Sequence, residues 1–346
     1  MIFPFPLKLW KSQIGGIGDG CSLIIEYIML VLINKSLLME HQMNFKEVAC
    51  LWRKDKAQYV KLSTISAYSL ILEKHILPAF GNSTQLIEEE VQRFVLKKLQ
   101  TGLSQKSVRD ILVVLKMVQR FGSKQGYLSP QDWSIHFPTE RENTDLVVLT
   151  VPQQRKVMQY VSEHFTFRNL GIYICLCTGM RIGEVCALRW GDIDLSADSI
   201  NVRRTIERIY VVDGEQRHTE LIIGPPKTKN SIREIPINRS LKQMMKPLRR
   251  LMNDDYYVLT GEATPTEPRT YRNYYNRLMQ QLELPPMKFH GLRHSFATRC
   301  IESRCDYKTV SVLLGHANIG TTLNLYVHPD KEQKRRCVEQ MSAKLL

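Results

Sequence analysis

A mainly helical chain with one small antiparallel sheet, divided into two domains, is what three features of this sequence predict. Apolar residues recur at helical spacing through four successive segments from Asn44 onward. Residues 199–237 change to β-branched alternation around an Asp213-Gly214 turn. Between these regions, 127–149 carries Pro130 and Pro138 and loses periodicity. At 346 residues and 43% hydrophobic content, the chain can bury a core in each half.

Residues 1–43 form an extension of different texture. The run 22–33 is strongly apolar, yet it contains Glu26 and falls short of the ~20 residues that span a bilayer, so no membrane association is expected. Lys8 and Lys11 precede it, but no A-x-A-like site follows, which argues against a secretory leader. Translation from Met39 or Met43, where patterned sequence begins, is the second reading of this extension.

FKEVACLWRKDKAQYV, STISAYSLILEKHILPAF, IEEEVQRFVLKKL and SQKSVRDILVVLKMVQRF each predict a helix, giving a helical domain over 44–126. Breaks are expected at 61–63, 78–83 and 101–104, with Ser63 and Ser104 as N-caps. Lys106 and Arg109 open the fourth helix, where a basic side chain and a helix N-terminus together suit a phosphate. The plainer reading of either residue is a solvated helix face.

Residues 127–149 read as the linker, and Thr150 with Gln153 has the capping-box spacing that opens the second domain, 150–346. NLGIYICLC is an apolar helix ended by Thr178-Gly179, which puts Arg181 directly after a helix stop. Ile182, Val185 and Leu188 are expected inward, and Glu184 can orient the arginine. This segment alone leaves two readings open, a guanidinium held rigidly from the core side or a surface arginine in a turn. SINVRRTIERIYVVDG and TELIIGPPKTKNSIREIPI predict the antiparallel strands, so that this domain is α+β. Lys227 lies at a turn tip with Lys229 and Arg233 near it, placed either to solubilise or to reach a phosphate. From Leu241 onward the chain reads as helical around one extended segment, YYVLT (256–260).

Lys plus Arg outnumber Asp plus Glu by 48 to 34, and the isoelectric point is about 9.4. That balance favours a polyanionic partner, nucleic acid first, although a basic chain is also simply soluble. The eight cysteines include no C-x-x-C pair, which suggests free thiols in a reducing, cytoplasmic compartment. Cys175 and Cys177 lie in an apolar run and read as core packing. His290, His294 and His316 invite zinc, but the acidic residue of an H-E-x-x-H site is missing, so no metal is expected.

His290 and Arg293 are three apart and share one face of a helix; His316 and Tyr326 follow. If the target is a DNA phosphodiester, attack on phosphorus builds charge on the non-bridging oxygens, which Arg181 and Arg293 can bind as forks. Tyr326, with an intrinsic pKa near ~10, needs cationic surroundings and a proton acceptor, which His290 and His316 can supply. Lys227 can protonate the departing oxygen. A phosphotyrosine conserves the energy of the broken linkage, so neither ATP nor another cofactor is required. Tyr326 by itself would read as a core tyrosine, as Tyr271, Tyr274 and Tyr275 do; the ordered set around it changes that.

Arg181 in TGMRIGE, Lys227 in PPKTKNSIREIPI, HGLRH at 290–294, Leu-Gly-His at 314–316 and Tyr326 together resemble the tyrosine recombinase (phage integrase) family over 44–346. The resemblance implies a helical core-type DNA-binding domain and a catalytic domain that close as a two-domain C-clamp on double-stranded DNA. It implies that Arg181, Lys227, His290, Arg293 and His316 activate the phosphate, that Tyr326 forms a 3′-phosphotyrosyl link, and that His294 is structural. It further implies site-specific integration or excision of a mobile element at attachment sites by a synaptic homo-tetramer, with host DNA-bending proteins or an excisionase as accessory partners. The segment 331–346, with Val338, Met341 and Leu345 apolar among charges, would dock on a neighbouring subunit. Residues 1–40 do not resemble an arm-binding domain, and the PKTKNSIR style is closer to integrases of phages and integrative elements than to chromosome-dimer resolvases. The rival readings are a type IB topoisomerase-like relaxing enzyme and a catalytically silent DNA-binding protein.

Overall fold

The computed structural model describes residues 43–139, 147–214, 216–226, 228–326, 331–343 and 345. The N-terminal extension before Met43 and the Lys227 position lie outside the described residues. Contacts divide the chain into two compact units, one comprising Met1–Glu140 with Tyr210–His218 and the other Arg141–Ile209 with Thr219–Leu346. No helix among the described residues is long and apolar enough to cross a membrane.

The first unit is built from α1 (Phe45–Ala57), α2 (Leu62–Ile71), α3 (Leu77–Phe80), α4 (Glu88–Gln100) and α5 (Gln105–Lys124). Asn44 and Glu47 exchange backbone and side-chain bonds as a capping box, so α1 begins where the apolar period begins. Ser104 caps α5 as its sequence predicts, accepting from Ser107 N at 3.2 Å. Ser63 does not cap α2: the N-cap lies two residues earlier, at Lys61, whose side chain makes no cap bond. Nor does Pro78 break the second helix. A π-helical turn, Leu72–Ile76, precedes α3, and Pro78 sits in the first turn of α3, where its missing N–H is tolerated.

The apolar faces meet in a core of Val48, Trp52, Ile76, Val95, Val108, Leu115 and Val118. Leu128 and Trp133, within the stretch whose prolines suggest a linker, belong to that core, and Trp133 Nε1 donates to Leu86 O at 3.2 Å. Here two large apolar side chains outweigh the local loss of period.

In the second unit, α6 (Val151–Glu163) opens on the Thr150–Gln153 capping box. The next helix, α7 (Phe167–Thr178), is buried along nearly its whole length, and Gly179 ends it in the left-handed conformation at φ 65°. A short helix, α8 (Ile182–Cys186), follows; Val185 and Leu188 are buried, whereas Ile182 is half-buried. The predicted strands form two antiparallel sheets, the second of which has its turn end, Tyr210–His218, in the first unit. One has the order β1 (Ile193–Asp194), β2 (Ser199–Val202) and β5 (Arg233–Pro236); the other pairs β3 (Thr205–Asp213) with β4 (Gln216–Gly224). Ser199 lies opposite Pro236 and Val202 opposite Arg233. The run SINVRRTIERIYVVDG is thus two strands separated at Arg203-Arg204, and Arg204 turns aside to pair with Asp192 at 2.6 Å.

The remaining elements are α9 (Arg239–Arg249), α10 (Pro268–Gln281), α11 (His290–Glu302), α12 (Tyr307–Leu314), α13 (Ile319–Tyr326) and α14 (Lys331–Ser342). YYVLT is a turn and not a strand: Tyr257 makes isolated bridges to Arg189 and Glu262, and Val258 N donates to Leu188 O at 2.9 Å. Its burial explains the misleading β-like composition, since Tyr257, Val258 and Leu259 are all core residues.

A Cβ on Gly179 would lie 2.6 Å from Phe296 Cδ1 and 2.8 Å from Leu314 Cδ2. Gly179→Ala should therefore lower the unfolding free energy by at least ~1 kcal/mol, the cost of a left-handed L-residue alone. An unchanged urea midpoint would show that the turn relaxes freely.

Candidate active site

The second unit gathers its charged residues around one carboxylate. Glu184, 2% exposed, sits in the first turn of α8, where its Oε2 accepts from Arg181 N at 2.9 Å and its Oε1 from Arg181 Nη1 at 2.7 Å. On its other side Arg233 donates from Nη1 at 3.2 Å and Nη2 at 3.0 Å. Burial pushes the Glu184 carboxyl up, but Arg233 and Arg181 together hold it below the ordinary carboxylate value. The carboxylate therefore stays charged and fixes two guanidiniums at once.

Arg233, read from the sequence as a basic neighbour of the Lys227 turn, is buried, and its Nε donates to Leu313 O at 2.6 Å. The signal for this was available in the sequence, because strand alternation places Arg233 on the same inward face as Ile235. Arg181 remains 35% exposed, with Nη2 donating to Gly315 O at 3.2 Å. That Gly315 ends α12 at φ 67° and is packed against Asn230 and Arg233, so the Leu-Gly-His turn is built onto the same ionic group.

Arg293 projects from α11 and is 2% exposed. Its Nη1 donates to Gly179 O at 3.0 Å, while Nη2 is buried with no hydrogen-bond partner among the described residues. Burial, then the like charge of Arg181, pulls Arg293 down to about 9, which still leaves it protonated at neutral pH. A buried cation with an open donor beside a second guanidinium is a ready site for an anion.

His290 starts α11, and its ring meets that of His294 edge-on at 4.7 Å. His316 Nδ1 shares a hydrogen bond with the buried Thr322 hydroxyl at 2.8 Å. Burial first, then neighbouring His294 and arginines for His290 and Arg293 and Arg181 for His316, lowers both imidazoles to about 4. Both are consequently neutral near pH 7 when the site is empty of anions. Tyr326 ends α13 over a small apolar group that includes Ala297, Val310 and Leu314. Its hydroxyl lies 2.6 Å from His294 Nδ1, a contact the sequence reading did not anticipate. Burial raises the Tyr326 phenol above its ordinary value, and Arg293 partly offsets this.

Arg181, His290, Arg293, His316 and Tyr326 thus belong to one site of the second unit, linked by the contacts above. Lys106 and Arg109 belong to the first unit; both are exposed, and the Arg109 guanidinium stacks 4.4 Å over the Phe137 ring.

Unfolded histidines take up a proton near 6.5, whereas folded His290 and His316 do so only near 4. Between those values the unfolded chain binds more protons, so stability falls as pH drops through that window and is unaffected by this pair above it. Replacing both by Gln should flatten the decline in thermal midpoint between pH 6.5 and pH 4; an identical pH profile would show the imidazoles to be unperturbed.

Comparison with known proteins matches the phage integrase family over residues 148–333 and the N-terminal SAM-like domain of phage integrases over 44–98. A protein described as tyrosine recombinase XerC-like from Caldanaerobacter subterraneus subsp. tengcongensis is 29% identical over 287 residues, covering 76% of this chain and 73% of that protein. The ICEBs1 integrase of Bacillus subtilis is 26% identical over 292 residues, covering 76% and 74%. Among solved structures, the Tn1549 transposon integrase in complex with a circular intermediate DNA aligns with TM-score 0.68 at 21% identity, covering 87% of this chain and 100% of that one. A lambda integrase dimer bound to a COC′ core site aligns with TM-score 0.62 at 16% identity, covering 91% of each.

Proposed function

This chain belongs to the phage integrase family, the tyrosine-type site-specific DNA recombinases, and we propose that it cuts and rejoins DNA strands at the site around Glu184 with Tyr326 as nucleophile. The observation that carries the assignment is the open Arg293 Nη2 donor, buried in the same site as Arg181 and the Tyr326 hydroxyl. A phosphodiester supplies the anion that this arrangement lacks.

In the proposed reaction the non-bridging oxygens of the scissile phosphate lie against Arg181 and Arg293. Tyr326 Oη attacks phosphorus, the bond to the 5′ oxygen breaks, and the strand is held as a 3′-phosphotyrosyl ester. Lys227, outside the described residues, would give its proton to the departing oxygen. Each guanidinium aligned with the developing charge is worth roughly 10²–10³ in rate, by analogy with single donors removed from other enzymes. His290 and His316, neutral without an anion, gain affinity for protons once a phosphate lies beside them, so DNA binding should take up protons near neutral pH.

The substrate we assign is double-stranded DNA carrying attachment sites of a mobile element, as the names of the related ICEBs1 and Tn1549 integrases suggest. Residues 44–126 would serve as a core-type DNA-binding domain, with Lys106 and Arg109 on phosphates, and 150–346 as the catalytic domain. Synapsis as a homo-tetramer, a C-terminal segment 331–346 exchanged between subunits, accessory DNA-bending proteins or an excisionase, and action in the cytoplasm complete the proposal.

The test is covalent trapping on nicked duplexes that carry candidate junctions. Wild-type protein should give a denaturation-resistant adduct, and Tyr326→Phe should bind the same duplex with similar affinity yet give none. An adduct that persists in Tyr326→Phe would assign the nucleophile elsewhere.

A further inference from the structure

We propose that His294, and not only His290 or His316, is a catalytic residue: its Nδ1 receives the Tyr326 phenol proton as the phenol oxygen attacks phosphorus. The proposal rests on the nucleophile assignment above and adds to it the proton's destination.

Three observations carry it. His294 Nδ1 and Tyr326 Oη are 2.6 Å apart, a short hydrogen bond within direct proton-transfer range. By contrast, among the described residues neither His290 nor His316 hydrogen-bonds the Tyr326 hydroxyl, and His316 Nδ1 is turned to Thr322 at 2.8 Å. Finally, the only polar contact that the described residues give Tyr326 is this one, and its ring lies 5.7 Å from the His294 ring, so the imidazole sits at the nucleophile itself. Burial first, and then the adjacent Arg293 guanidinium on α11, holds the His294 imidazole below its ordinary value; a bound phosphodiester offsets the second of these.

The step balances without a further reactant. The Tyr326 O–H bond breaks and its proton joins the lone pair of Nδ1; the phenolate oxygen forms the bond to phosphorus; the electrons of the bond to the 5′ oxygen leave with that oxygen, which is protonated in turn by the cationic general acid. On rejoining, the returning hydroxyl reverses each transfer, and His294 gives its proton back to the tyrosine.

A hydrogen bond that merely positions the tyrosine would share this geometry, so the test must separate holding from proton acceptance. Asn places an amide oxygen where Nδ1 stood and can accept the hydrogen bond, but it cannot carry the proton. Single-turnover adduct formation on a nicked duplex should fall about 10²–10⁴-fold in both His294→Asn and His294→Ala, with duplex affinity unchanged, and added imidazole should restore part of the rate to His294→Ala. A His294→Asn rate within a few-fold of wild type, or a His294→Ala rate insensitive to imidazole, overturns the proposal and leaves His294 as a support for the tyrosine. An adduct that survives Tyr326→Phe overturns the nucleophile assignment as well, and so distinguishes the two failures.

Discussion

A single buried carboxylate organises the catalytic unit. Glu184 accepts four hydrogen bonds from two arginines, one beside it on the start of α8 and one 49 residues away on β5. Isolated, a carboxylate at 2% exposure would be costly; paired on both sides, it is held charged, and removing one partner of such a buried group typically costs about 3–5 kcal/mol. That cost is what ties α8, β5 and the Leu-Gly-His turn into one rigid assembly. Arg181 is the outward member, and its half-exposed guanidinium is what remains available to a ligand.

The rest of the site follows from that anchor. Glu184 is shared by Arg181 and Arg233, while Arg293, among the described residues, bonds the Gly179 carbonyl and keeps one donor open. Burial first, and then the neighbouring positive charge, lowers the His290 and His316 imidazoles, which stay neutral. In the proposed function, a phosphate supplies the anion that this cluster lacks. Such preorganisation places stabilisation where charge develops during attack, which is where it accelerates the reaction.

Much of this was legible in the sequence because it is written in local chemistry. The Thr150–Gln153 capping box, the Gly179 helix stop, the Asp213-Gly214 turn and the i,i+3 pair of His290 and Arg293 are all set by neighbours along the chain. What escaped was set by packing across it. Arg233 read only as a basic neighbour of the Lys227 turn, whereas β5 turns it inward against Glu184. Tyr257 and its neighbours looked extended because burial, not strand pairing, selected them. Pro78 looked like the start of the break, but the π-helical turn before it carries the helix on to Phe80, and the break begins at Gly81. The His294–Tyr326 contact escaped because the two residues lie 32 positions apart on different helices.

The most direct test of this account is the rate of covalent adduct formation in Glu184→Gln, measured beside duplex affinity under the same salt. If Glu184 fixes the Arg181 fork by its charge, affinity should persist while the adduct rate falls by roughly 10²–10³, the value of one misaligned donor. A folded variant that forms the adduct at the wild-type rate would contradict the claim that this carboxylate organises the site.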